Sequence, residues 1–130
     1  MAVSTIDRCL TETMNITGAL GVSLMDWTGG LALATAGAGP CGDHAAGAVD
    51  AAELARVVML RHTFADPETG SSSTEDVIVT SANMYHLLRF VDTSFGGNLL
   101  IHLRLDRRTA NLAMARIRLT AIVAQMVPAS

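Results

Sequence analysis

A chain of 130 residues, 50% apolar and 16% charged with a formal charge of −3, fits one compact domain and leaves no room for a second. It is too apolar and too weakly charged to stay disordered. Its nine basic residues are all arginine and are scattered, with only Arg107 and Arg108 adjacent, so no basic patch is present to hold a nucleic-acid backbone.

Along the chain, Ser4 followed by Asp7 resembles a helix capping box, and Ile6, Leu10 and Met14 then repeat every fourth residue, predicting a short first helix that Gly18 ends. Residues 20–26 place Leu20, Val22 and Leu24 on one face of a strand. Asp26-Trp27-Thr28-Gly29-Gly30 supplies a turn, and the apolar run 31–35 completes a hairpin. The three glycines and one proline of residues 36–42 predict a loop. Asp43 is the expected N-cap of a second helix reaching to about Phe64. In it Val57, Val58, Met59 and Leu60 are consecutive and cover every side, so this helix is expected to be buried on two sides. A polar connection, 66–74, leads to three strands at 76–81, 84–91 and 98–105, joined by short links at 82–83 and 92–97 and hence antiparallel.

The last strand alternates, with Leu99, Ile101, Leu103 and Leu105 on one face and Leu100, His102 and Arg104 on the other. Asp106 is the expected cap of a final helix running to about Met126, with Pro128 beyond its end. Leu112, Ala115, Leu119, Ile122, Val123 and Met126 form one apolar face of it. Ala110, Ala113, Ile117, Ala121 and Ala124 form a second, narrow enough for the first helix to lie against. The order helix, strand, strand, helix, three strands, helix predicts an α+β domain spanning residues 1–130, a five-stranded antiparallel sheet with helices on both faces.

No apolar run approaches the length of a membrane span, and no basic leader with an apolar stretch and cleavage site opens the chain, so a cytoplasmic protein without membrane insertion is expected. Cys9 and Cys41 lie in unrelated contexts and are expected to be reduced thiols.

The hairpin from Gly21 to Ala34, the segment from Val77 to Arg89, and the strand from Asn98 to Asp106 leading into Thr109-Ala110-Asn111-Leu112 resemble the roadblock/dynein light chain pattern over about residues 4–126. The resemblance implies a profilin-like sandwich that pairs with a second copy through its second helix and third strand, joining two sheets into one. On this reading the homodimer interface comprises Leu54, Val57, Val58, Arg61, Val77, Ile78 and Val79. Two features read from the residues alone agree with that expectation: the all-round apolar second helix, and the strand Val77-Ile78-Val79, which has neither Lys nor Pro to protect it at a sheet edge.

Bacterial members of the group the chain resembles bind Ras-like small GTPases, as activating proteins or scaffolds, often beside a histidine-kinase-like sensor. The implied role is therefore a non-enzymatic regulatory or scaffold subunit of a signalling GTPase. An activating protein that inserts an arginine finger needs an exposed Arg near an element end, and Arg61, Arg107 and Arg108 are the candidates. Neither glycine loop, 18–21 or 37–42, has the Gly-Lys-Ser/Thr ending of a phosphate loop, and there is no lysine. No cofactor or metal is expected, and no catalytic residue is assigned. Cys41 and His44, the one arrangement with nucleophile chemistry, read more simply as a loop entering a helix cap. His86 and His102 fall on adjacent strands as a potential metal or proton-transfer pair, for which a sheet-face role is the simpler reading. Trp27 is either a lid over the core or an exposed anchor. The alternative from another class is a small-molecule-sensing domain of the profilin, GAF and PAS kind, which requires a pocket between sheet and helices.

Overall fold

The computed structural model describes residues 4–92 and 97–126; most of the 92–97 link and Pro128 lie outside them. Helix α1 (Thr5–Met14) starts where the Ser4 hydroxyl accepts the Asp7 N–H at 3.0 Å and closes on Asn15, three residues before Gly18. Strands β1 (Ala19–Asp26) and β2 (Leu31–Gly37) form the first hairpin. Its turn is held by the Asp26 carboxylate, which accepts from both the Thr28 N–H and the Thr28 hydroxyl; those bonds keep the Asp26 acid below its usual range. Helix α2 (His44–Leu60) follows a short 3-10 turn at Pro40–Gly42. Strands β3 (Asp76–Thr80), β4 (Met84–Val91) and β5 (Leu99–Asp106) precede α3 (Leu112–Met126).

The sheet is antiparallel throughout, in the order β2-β1-β5-β4-β3. That order makes the last strand central and leaves β2 and β3 at the edges. Helices α1 and α3 cover one face, where Val22, Leu24, Leu87, Ile101, Leu103 and Leu105 pack against Cys9, Leu10, Ala115, Leu119, Ile122 and Val123. Burial raises the Cys9 thiol pKa, which suits an inert core residue. On the opposite face α2 presents Ala48, Ala51, Ala52 and Ala55 to Met25, Trp27, Leu88 and Leu100. The small helix residues let the backbone approach while the sheet supplies the bulk. Period-two alternation assigns the core residues of β5 to the two faces as the sequence predicts.

Three expectations are corrected. Helix α2 ends at Leu60, because Arg61 is extended (φ −94°, ψ 142°) and a separate 3-10 turn takes His62–Phe64. Asp106 belongs to β5 and anchors the turn that follows, its carboxylate accepting the Arg108 N–H; the α3 cap is Asn111, whose side-chain oxygen accepts the Met114 N–H. On α3, Ala113, Ile117, Ala121 and Ala124 are exposed, since α1 lies alongside the flank carrying Ile122, Gln125 and Met126. Gly21 has no alternative: a Cβ there would sit 1.9 Å from the Ala38 carbonyl oxygen, where the loop leaving β2 folds back and Ala38 donates to the Leu20 carbonyl.

The Asp43 carboxylate caps α2 by accepting the Ala46 N–H at 3.1 Å. Asp43→Ala is expected to cost about 1 kcal/mol, seen as a lower urea midpoint with an unchanged slope.

Candidate functional site

Helix α2 lies nearest β1 and β2, so the same face of the sheet over β3 and β4 is left open beside it. The result is a shallow groove of about 230 Å³. One wall is α2, with Gly47, Asp50, Ala51 and Leu54; Val79, His86, Leu88 and His102 supply the sheet side, and Pro40 closes one end. A helix repeat of 3.6 puts Val57 on the same flank of α2 as Leu54. Leu54 is 36% exposed and Val79 41%, large apolar side chains facing water on both sides of one groove.

Of the seven residues expected at a dimer interface, Leu54 and Val79 therefore share the rim of this groove, Val57 stands exposed farther along α2, and Arg61 is exposed just past the end of the helix. Val77 lies on the same sheet face, half-buried against the cluster under α2. The other two fall elsewhere. Val58 is only 7% exposed, on the inward face of α2, and Ile78, one residue out of phase with Val77 and Val79, packs on the α1/α3 side of the sheet. The expectation that α2 is buried on two sides is not met within one subunit: Leu54, Val57 and Leu60 remain exposed.

At the floor of the groove His86 Nδ1 and His102 Nε2 are 2.9 Å apart. The ring centroids are 5.1 Å apart, so the centroid separation exceeds the nitrogen separation by nearly two ring radii and the rings meet almost head-on. This is the geometry of one shared proton, with one ring donating and the other accepting. Two ligands of a single metal ion would instead converge at an angle. Among the described residues, moreover, no group of three or more His, Cys, Asp or Glu is placed to hold a metal ion. Burial lowers the His86 pKa, with the Arg104 charge adding to it. His102 is pushed down to about 4 by burial first, then by His86, Arg104 and His44.

Arg104 has no signal in the sequence beyond its place between Leu103 and Leu105 on a strand covered on both faces. It is 7% exposed and donates from Nη1 to the Ala38 carbonyl at 2.8 Å, while its Nε meets no acceptor among the described residues. Arg104→Met keeps the aliphatic bulk and removes the charge. The substitution is expected to change stability by less than about 1.5 kcal/mol and to raise the His102 pKa, an upward shift that NMR titration of the imidazole signals measures.

The three candidate finger arginines separate by their surroundings. Arg107 donates to the Ser81 carbonyl and lies over the Tyr85 ring, and Arg108 pairs with Asp106 at 3.2 Å; both have structural work. Arg61 is exposed. Trp27 is a lid: it is buried under α2 with its ring edge-on to Phe90 at 6.3 Å between centroids. Cys41 is exposed in the left-handed region (φ 50°), and the His44 ring Nε2 contacts the Gly37 carbonyl, so this pair serves the entry into α2. No helix among the described residues is long and apolar enough to cross a membrane.

A five-stranded antiparallel sheet in this strand order, with two helices on one face and one on the other, is the fold of the roadblock/LC7 domain. Three solved structures carry the likeness. The gliding protein MglB from Thermus thermophilus superposes with a TM-score of 0.73 at 20% identity, over 97% of this chain and 90% of that one. MglB of Myxococcus xanthus gives 0.69 at 16% identity, over 94% and 88%. The roadblock/LC7 domain from Streptomyces avermitilis gives 0.67 at 14%, over 90% of each chain. No protein-family model and no curated protein matches the sequence. At these identities what is shared is the fold.

Proposed function

We propose that this chain is a roadblock-family subunit that acts as a homodimer, without an active site of its own, to regulate or scaffold a Ras-like small GTPase. The observation that carries the reading is the groove beside α2, whose rim residues Leu54 and Val79 are apolar and exposed in a single subunit, with Val57 exposed farther along the same helix. Isolated exposed leucines are ordinary on a soluble protein, but apolar residues gathered on both sides of one groove mark a surface that another molecule covers. Beside the groove runs the free edge of β3, whose Val77-Ile78-Val79 run offers unpaired backbone groups to a second strand. A two-fold axis there brings the same patch of both copies together and extends the sheet.

The GTPase as partner rests on the likeness to MglB, together with the lack of any phosphate loop in this chain. A subunit that positions the GTPase's own residues needs no exposed Arg of its own, while for a finger mechanism the exposed Arg61 is the candidate. Cytoplasmic signalling, with a histidine-kinase-like sensor as a further partner, belongs to the same reading.

Two measurements test it. Light scattering across a dilution series from about 100 to 1 μM is expected to give twice the mass of the chain, reverting only at the lowest concentrations. A pull-down with GTP-loaded and GDP-loaded forms of a small GTPase encoded near the gene is expected to retain one form over the other. Capture of neither counts against the GTPase, and equal capture of both counts against regulation of its nucleotide cycle.

A second reading, the small-molecule sensor, has one observation in its favour. A cleft of about 560 Å³ at one end of the sheet, lined by Trp27, Met59, Phe90 and Asn98 among others, is large enough for a small ligand. A thermal-shift screen against metabolites tests it.

A further inference from the structure

Imidazoles sit at the floor of the groove that a second copy is proposed to cover. His86 is half-buried and His102 nearly fully buried, and they meet head-on over 2.9 Å, an arrangement that holds one proton between them. Adding a proton to the neutral pair makes one ring an imidazolium beside the buried Arg104 guanidinium, and adding two leaves both facing nitrogens protonated with no acceptor between them. The groups facing the pair can be named element by element. From β5 there is Arg104, the register partner of His86. From α2 there are His44 at its start and Asp50 on the groove wall. From β3 there is only Val79, paired with His86, and from β1 only Ser23, paired with His102. The set therefore holds one carboxylate against one fixed positive charge and three imidazoles.

We propose that association of two copies through this groove is proton-linked: the partner closes over a neutral, hydrogen-bonded His86–His102 pair, and acidification separates the copies. The proposal rests on the homodimer reading above. Covering the groove removes water from the imidazole that is still half-exposed, and desolvation disfavours its charged form. A dimer that must give up a proton to form is then opposed by acid.

The sign follows from linkage. A histidine whose pKa is lower in the dimer than in the free subunit contributes full association free energy above its free-subunit value, and that contribution is lost as pH falls. The His86 pKa lies below 6.5 before any partner arrives, so the loss begins under pH 6.5.

The experiment is sedimentation equilibrium of the full chain at about pH 7.5, 6.0 and 4.5, at constant ionic strength, for the wild type, His86→Gln and Asp50→Asn. Glutamine retains an amide donor for His102 and does not titrate. In the wild type the dissociation constant is expected to rise about tenfold or more across that range, up to one proton being taken up per subunit. His86→Gln is expected to flatten the profile, whatever its absolute affinity, and Asp50→Asn to keep the slope. A wild-type constant that stays level or falls on acidification overturns the proposal while leaving the dimer standing. So does an equal slope in His86→Gln. A chain that is monomeric at every pH overturns the dimer and the linkage together.

Discussion

Leu103→Ala is expected to lower the unfolding free energy by about 3–5 kcal/mol, a large share of the roughly 5–15 kcal/mol that holds a domain of this size together. Leu103 is fully buried near the middle of β5, the central strand. Its register partners are Val22 on β1 and Leu87 on β4, each 1% exposed. Truncation leaves a void whose lining is fixed by strands hydrogen-bonded on both sides, so the site cannot collapse and the cavity cost adds to the lost transfer free energy. Urea denaturation at one fixed protein concentration measures the loss, the concentration being held because association shifts apparent stability. Ile117→Ala is the control. That side chain stands 62% exposed on α3 and its loss is expected to cost under about 0.5 kcal/mol. Equal losses at the two positions would mean that the sheet centre is not where the core lies.

The importance of Leu103 is legible in the residues alone. Residues 99–105 alternate without a break, and β5 is the element where period two by itself assigns every side chain to a face. The β4 bounds, Met84–Val91, are legible for another reason, the short polar links that flank an apolar run. Legibility falls where a second condition overrides the pattern. In α2 the run Val57 to Leu60 reads as burial on all sides, yet the alanines at 48, 51, 52 and 55 decide which side meets the sheet, and a hydropathy pattern underweights alanine. In α3 the stripe of Ala113, Ile117, Ala121 and Ala124 reads as a helix contact, whereas α1 is placed by Leu10 and Cys9 against the larger side chains of α3. Asp106 reads as a cap because an aspartate before a helix usually is one; here Asn111 does that work five residues later.

The site is half legible. Sequence singles out Leu54 on the second helix and Val79 on the third strand, but only the placement of α2 over β1 and β2 turns them into two sides of one groove. Ile78 groups with its neighbours by hydropathy, although a strand must send it to the opposite face. His86 and His102 fall on adjacent strands, where a simple sheet-face role is a reasonable first reading. What the sequence does not carry is the register: His86 stands opposite Arg104, and His102 opposite Leu88, so the histidines are diagonal neighbours, and their head-on contact depends on that offset. Arg104 is the residue most easily missed, because a single arginine between leucines reads as a side chain reaching for solvent.

The other large effect is on assembly. The double variant Leu54→Asp, Val79→Asp is expected to raise the dissociation constant of the proposed homodimer at least about a thousandfold, roughly 4 kcal/mol, while leaving the subunit folded. Both side chains are exposed in the single subunit, at 36% and 41%, so a carboxylate at either position remains hydrated there and the core loses little. In a two-fold interface each substitution occurs twice. Four carboxylates then have to leave water together, in a groove whose own wall already carries Asp50, and unpaired charges buried in this way cost several kcal/mol. Light scattering at about 50 μM is expected to report the single-chain mass for the variant and the doubled mass for the wild type, with thermal melting verifying that the variant is folded. Ile117→Asp places the same charge on the exposed face of α3, away from the groove, and is expected to leave the mass doubled. A double variant that kept the wild-type mass would move the interface off α2 and β3, and with it the reading of this groove as the surface where two copies meet.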